Sequence, residues 1–450
     1  MVLNFAPLRE YIQNRIMNKL LIPILFIYVA CACNESAVNK GTSQTAVSSL
    51  VNTSHLDHLY TPAAFKNGES AAGIYIYAEA PDYHLVADSD EGYTCVDDVA
   101  RAALVYLRNN NLSTDTSTQK KLKQLIRFIL QMQSGNGYFY NFLFPDSSIN
   151  KTGKTSRATP DWWSWRALQT LTEASPLIAS FDAPLAAKVN AAVNRLIQNI
   201  KSGLVNIPAT TKIVNGIIVP KWLPAGSATD QTAIIILGLI SYCEVNTDSD
   251  LTGYIKKLAD GIAMMQQGDA TQFPYSCFLS WEDVWHAYGN DQAYALFKAA
   301  AYLKDTTYAQ KALAEVDNFY PWLLKAGMKS SFSLNKKDGK FVPSNEKEFE
   351  QIAYGIRPMV FAAIEAFNIT GNQKYAETAG QLAAWFLGNN SANTVMYDTA
   401  TGRCFDGIIA AGKVNKNSGA ESTIEALLCF QKIEKYPAVI SAINKFKMKK

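Results

Sequence analysis

Glu91–Leu107 reads EGYTCVDDVARAALVYL, and this stretch decides the fold. Two adjacent carboxylates, Asp97 and Asp98, open a helix that runs on almost wholly apolar and alanine-rich, with one cation, Arg101. Desolvating an ionised carboxylate is costly, so a buried helix with two acids at its mouth needs a polar purpose there. The next segment, Ser117–Gln133, has Leu122, Leu125, Ile126, Ile129 and Met132 on one face. Lys120, Lys123, Gln124, Arg127 and Gln131 occupy the other. That pattern is an amphipathic helix lying outside the first.

The pair recurs along the chain. Asp161–Ala174 precedes Pro184–Lys201, Thr229–Cys243 precedes Leu251–Gln267, and Glu282–Leu303 precedes Tyr308–Lys325. Glu350–Phe367 precedes Gln373–Leu387, and Ser418–Ile433 precedes Pro437–Phe446. Six apolar-then-amphipathic pairs, spaced roughly 50–65 residues apart, form an array of helical hairpins. The fold expected is all-α, an (α/α)6 toroid over residues 55–450 with the apolar helices inside; an open superhelix is the alternative. Parallel inner helices put their N-termini on one face. The aromatic loops Gly135–Phe142 and Gly402–Ile408 favour that arrangement. Short β-hairpins are expected in the loops at one end, and Asn215-Gly216 within Thr211–Trp222 predicts a tight one. Gly73–Ala78 has strand character.

A formal charge of +3 and the lack of a Lys/Arg run, apart from the tail Lys445–Lys450, argue against a nucleic-acid partner. The histidines are His55, His58, His84 and His286. Beyond the first 33 residues the cysteines are Cys95, Cys243, Cys277, Cys404 and Cys429. None of these has metal-ligand spacing, and no metal or cofactor is expected. At the N-terminus, Met17-Asn18-Lys19, the apolar Leu20–Val29 and Ala30-Cys31-Ala32-Cys33 resemble a bacterial lipoprotein signal. Residues 1–33 are read as that signal, with 1–16 an upstream extension. Cys33 is the first choice for lipidation and Cys31 the second; an ordinary secretory signal is the alternative. Asn34–Ser54, rich in Ser, Thr and Asn, reads as a flexible tether. The location expected is the bacterial envelope, lipid-anchored in the outer membrane and facing either the periplasm or the surface.

Acids stand at or near the start of each inner helix: Asp97, Asp98, Asp161, Asp230, Glu282, Asp283, Glu350 and Glu421. Carboxylates converging at one end of a barrel are the apparatus of glycoside hydrolysis, where one is the acid and another the base. Acids also favour helix N-termini as caps. Thr94 with Asp97, Ser227 with Asp230, Ser280 with Asp283 and Ser418 with Glu421 fit a capping box. Asp98, Asp161 and Glu282 do not, which makes them the first catalytic candidates, with Asp97 and Asp283 nearby. A plain ion pair with Arg101 is the bland reading of Asp98. Flat rings for sugar stacking are Tyr93, Tyr138, Trp162, Trp281, Trp285 and Tyr354, with His286 beside them. Core packing is the alternative for any one tryptophan. Arg101, Arg357, Asp406 and Glu421 are the polar substrate contacts expected.

EGYTCVDDVARAAL, WFLGNN, MYDTATGRCFDGI and NSGAESTIEALL together resemble a bacterial α/α-toroid family. That family is related to the six-hairpin glycosidases and is sometimes fused to sugar-nucleotide glycosyltransferases. The resemblance covers about residues 80–435. It implies an (α/α)6 barrel and carbohydrate chemistry. With the paired carboxylates, the reading is an inverting glycoside hydrolase acting on an oligo- or polysaccharide. Two alternatives stand beside it. One is a polysaccharide lyase or sugar isomerase using His286 with Tyr288 or Tyr354. The other is a non-catalytic glycan-binding lipoprotein.

Overall fold

The structure, a computed structural model, describes residues 49–447. The signal segment, Cys31, Cys33 and most of the tether lie outside the described residues. Of the tether, the end from Ser49 is held against the body: Glu434 accepts from the Leu50 amide at 2.6 Å, and Tyr397 Oη from the Asn52 amide at 3.2 Å.

A short helix α1 (Ser54–Leu59) comes first. The pairs follow as α2 (Val96–Leu107) with α3 (Thr116–Gln131), α4 (Trp162–Ala179) with α5 (Ala183–Asn199), and α6 (Thr229–Cys243) with α7 (Ser249–Met264). Then come α8 (Gln292–Leu303) with α9 (Thr306–Ala314), which continues through a π-turn into α10 (Tyr320–Lys325). Last are α11 (Ala353–Thr370) with α12 (Gln373–Ala383), and α13 (Ala420–Ile433) with α14 (Pro437–Phe446). The inner helices pack in a circuit, α2 on α4, α4 on α6, α6 on α8, α8 on α11, α11 on α13, and α13 back on α2. The last contact closes the toroid and excludes the open superhelix.

Sequence pattern accounts for the two layers. α6 buries Ala233, Ile234, Ile235 and Ile236 in succession, so every side of it is covered. α3 buries a stripe that includes Leu122, Leu125, Ile126 and Ile129. At Gly238, α4 and α6 approach so closely that a Cβ would stand 2.9 Å from Leu168 Cγ and 3.1 Å from the Gln169 nitrogen.

The Thr211–Val214 and Ile217–Pro220 hairpin turns through Asn215 (φ 48°) and Gly216 (φ 78°), as predicted. A longer one, Ser331–Lys337 with Lys340–Lys347, was not predicted, although Asp338-Gly339 signals its turn. It adds Val284–His286 as a third strand. This corrects the expected helix start at Glu282: α8 begins at Gln292. Gly289, at φ +65°, breaks any longer helix, and a Cβ there would stand 2.8 Å from the Tyr354 hydroxyl. α11 likewise begins at Ala353 and not at Glu350. Among the described residues no helix is long and apolar enough to cross a membrane.

Candidate active site

The starts of inner and outer helices differ in how they use their polar residues. Asp115, Asp182, Asp248, Asp305 and Asn372 cap α3, α5, α7, α9 and α12, accepting from backbone N–H groups. None of the four capping boxes expected on inner helices forms. Thr94 Oγ1 accepts from the Ile74 amide and Ser227 Oγ from the Glu282 amide. Ser418 Oγ accepts from the Cys404 amide, and Ser280 lies in a turn and not before a helix. Asp161, which fits no capping box, is itself the N-cap of α4: it accepts from the Trp162 N–H at 2.8 Å. Asp230 on α6 likewise accepts from the Gln231 N–H at 2.6 Å, whereas the acids of α2 and α13 are left for tertiary contacts.

Arg101 gathers them. Its guanidinium lies 3.3 Å from Asp97, 2.8 Å from Asp98, 3.3 Å from Glu421 and 3.0 Å from Glu425. Arg166 reaches Asp97 at 3.1 Å and donates to the Tyr354 hydroxyl. Arg357 grips both Asp291 oxygens at 2.8 and 3.0 Å and donates to Glu425. The Tyr354 ring sits among all three guanidiniums, at 5.2 Å from Arg101, 5.0 Å from Arg166 and 5.8 Å from Arg357. Over this layer opens a cleft of about 320 Å³, with Asp97, Asp98, Arg101, Asp406 and Glu421 in its wall, together with Glu91 and Tyr77.

The carboxyl groups are not equivalent. Enclosure pushes Glu421 up to about 7; Arg101 opposes this, and the neighbouring Asp98 and Glu425 reinforce it. Its side chain is 43% exposed, so it remains accessible. Burial also raises Asp98, whose oxygens are taken by Arg101 and the Cys95 thiol. Asp406 is raised by burial, against hydrogen bonds from the Gly419 amide and the Ser422 hydroxyl. Glu425 behaves oppositely: burial would raise it, but Arg357, Arg101 and Arg166 outweigh burial and hold it below the usual range. Asp97, between two guanidiniums, has a side chain 26% exposed.

A second group continues the arc. Asp161, raised mainly by burial, accepts from Gln231 Nε2 at 3.3 Å. Asp230 lies 3.0 Å from His286 Nε2, whose other ring nitrogen is 2.8 Å from the Tyr288 carbonyl. Tyr288 stacks on the imidazole at 3.7 Å.

Other expected site residues are placed differently. Glu282 occupies the turn before Val284–His286, in the left-handed region, and pairs with Lys212. Asp283 accepts from Asn215 Nδ2 at 2.9 Å. Both acids fasten the Thr211–Pro220 hairpin, whereas Asp98 is held by Arg101 and Asp161 by the Trp162 amide and Gln231. Trp281 is 42% exposed, whereas Trp285 is 1% exposed and stacks on Phe332, which corrects its place among the substrate contacts. Tyr93 is buried beside Tyr75, and Tyr77 lines the cleft from that segment. Tyr138 meets Trp165 edge-on at 6.2 Å, and Trp162 lies under Arg166 at 5.9 Å.

Arg166, Asp291, Glu425 and Gln231 were missed. The signal for three of them was present: an isolated charge inside an otherwise apolar inner helix, as in WWSWRALQ and STIEALL, or at its mouth. Among the described residues no three His, Cys, Asp or Glu side chains are grouped to hold a metal.

No protein-family model matches the chain, and no curated protein sequence matches it. Solved structures do. A sugar epimerase from a ruminal bacterium aligns at TM-score 0.58 and 14% identity, over 85% of this chain and 95% of that one. Cellobiose 2-epimerase from Bacillus thermoamylovorans B4167 aligns at 0.55 and 14%, over 84% and 95%. The shared fold is the (α/α)6 toroid. A D-mannose isomerase carries the same toroid, at TM-score 0.53 and 12% identity, over 81% of this chain and 91% of that one. In this toroid the acids and arginines described above occupy the inner-helix N-terminal end.

Proposed function

We propose that the chain is a carbohydrate-active enzyme that hydrolyses glycosidic bonds with Glu421 as general acid and Asp97 as general base. The observation that supports this most is the division of labour around Arg101. Glu421 is pushed up to about 7 and holds a proton near neutral pH. Asp97, on the same guanidinium, is salt-bridged to Arg166 as well. Two carboxyl groups in different environments supply an acid and a base. Glu421 would protonate the glycosidic oxygen as the C–O bond breaks. Asp97 would take a proton from the water attacking the opposite face, which inverts the anomeric centre. Asp98, buried and bonded to Arg101, would position the guanidinium between them.

Incubation of the purified protein with a panel of oligo- and polysaccharides tests this. New reducing ends with inverted configuration, read by proton NMR, are expected, and their absence across the panel rejects hydrolysis. A second reading rests on the Asp230–His286 pair stacked on Tyr288. An imidazole fixed by a carboxylate suits proton transfer at a carbon next to a carbonyl, the chemistry of epimerases and isomerases such as those that share the fold. Reaction in D2O separates the two, because only the second puts deuterium on a sugar carbon. The envelope location is part of the proposal, and lipid on Cys33 in the mass spectrum of membrane-extracted protein is its test.

A further inference from the structure

We infer that the cleft selects uncharged glycans, which approach it with hydroxyl donors, and rejects uronates and sulfated sugars. This names the substrate class of the site above and rests on its glycan-binding part, not on hydrolysis. The cleft wall carries Glu91, Asp97, Asp98, Asp406 and Glu421 against one cation, Arg101. Arg101 is committed to Asp97, Asp98, Glu421 and Glu425. The arginines of the adjoining layer are committed too, Arg166 to Asp97 and Tyr354, and Arg357 to Asp291 and Glu425.

The neutral donors at the cleft are spent in the same way. Tyr77 Oη donates to Glu91 at 3.1 Å, Ser422 Oγ to Asp406 at 2.8 Å, and Asn141 Nδ2 to the Thr155 carbonyl at 3.1 Å. What the wall offers an incoming molecule is carboxyl lone pairs, on Asp97 between Arg101 and Arg166 and, above about pH 7, where it has lost its proton, on the accessible Glu421. Ionised carboxylates accept and do not donate. Sugar hydroxyls supply donors. A uronate or sulfate brings more acceptors and a like charge, to a wall with no uncommitted cation to receive it. The same accounting weighs against the lyase alternative. β-Elimination removes the proton next to a uronate carboxyl, and that step requires the charge of the carboxyl to be met by a donor or cation.

The experiment is a calorimetric titration of the whole protein with neutral cello-, manno- and galacto-oligosaccharides and with their C6-oxidised counterparts. We expect at least one neutral chain to bind and its oxidised form to bind about tenfold or more weakly, since like charges at an interface are strongly disfavoured. At pH 8, where Glu421 has lost its proton, the gap is expected to narrow in Glu421→Gln, shown folded by its unchanged melting temperature. Equal or tighter binding of oxidised chains overturns the inference even if hydrolysis is found. A gap unchanged at pH 8 in Glu421→Gln overturns its cause. Binding of no chain at all overturns it together with the glycan reading. Neutral-selective binding without turnover removes hydrolysis and leaves the inference standing.

Discussion

At the scale of single residues, burial assigns the carboxyl groups their tasks. With Glu421 as the acid, kcat/KM is expected to fall above about pH 7, where that group loses its proton. Glu421→Gln and Asp97→Asn should each lower kcat about 10²-fold or more. An activated aryl glycoside, whose leaving group needs no proton, should restore turnover to the first variant and not the second; rescue of both, or of neither, refutes the assignment. Glu315 provides a stability test away from the cleft. It is buried, accepts from the Phe278 amide at 2.8 Å and the Tyr320 hydroxyl at 3.3 Å, and burial lifts it from 4.5 to about 8. The folded chain then keeps a proton that the unfolded chain releases. Its contribution is therefore full below about 4.5 and is lost as pH rises to about 8, by up to about 5 kcal/mol. Denaturant titrations across that window should show the loss, and Glu315→Gln should flatten it. Acids near the inner helix starts were legible in the sequence. Their tasks were not, because capping and chemistry place the same residue types at a helix start. Only the three-dimensional partners show Asp161 as a cap and Glu421 as a group held by a distant arginine.

At the scale of elements, hydrophobic periodicity carried most of the information. The contrast between α6, buried on every side, and α3, buried along a stripe, was readable directly. The failures lay where loops pair with loops. Val284–His286 is a strand because it pairs with Ser331–Ser333, nearly fifty positions along, and no local signal announces that partner. The aromatic and apolar residues of that segment fit a buried helix equally well. Helix contact gives the prediction at this scale. Gly238 lies where a Cβ would stand 2.9 Å from Leu168 and 3.1 Å from the Gln169 backbone. A backbone neighbour cannot yield as a flexible side chain can. Gly238→Val is expected to cost about 1–3 kcal/mol through overpacking, seen as a lower denaturation midpoint with the slope retained. An unchanged midpoint would mean that α4 and α6 separate freely.

At the scale of the whole molecule, the toroid is a ring whose first and last hairpins must meet, and the meeting is polar. Glu425 on α13 is wholly buried and bonded to Arg101 on α2 and to Arg357 on α11. It thus joins the closing contact to the helix before it. The six repeats were legible in the sequence. The closed toroid was expected from them and from the aromatic loops, but the pair that ties its ends was not, because carboxylate and guanidinium lie more than three hundred residues apart. Removing one member of a buried ionic cluster leaves uncompensated charge and costs roughly 3–5 kcal/mol. Glu425→Gln keeps the shape and removes the charge, so its loss of stability reports the electrostatic part of closure. The folded state holds Glu425 ionised more readily than the unfolded chain does. Its contribution is therefore present above the ordinary glutamate range and fades as the pH falls below it. Glu421, one helical turn earlier and partly exposed, is the control: its Gln variant should lose turnover while unfolding near the wild-type midpoint. If Glu425→Gln also unfolds at the wild-type midpoint, apolar packing alone closes the ring. If instead Glu421→Gln is the less stable of the two, the assignment of closure and chemistry to these two residues is reversed.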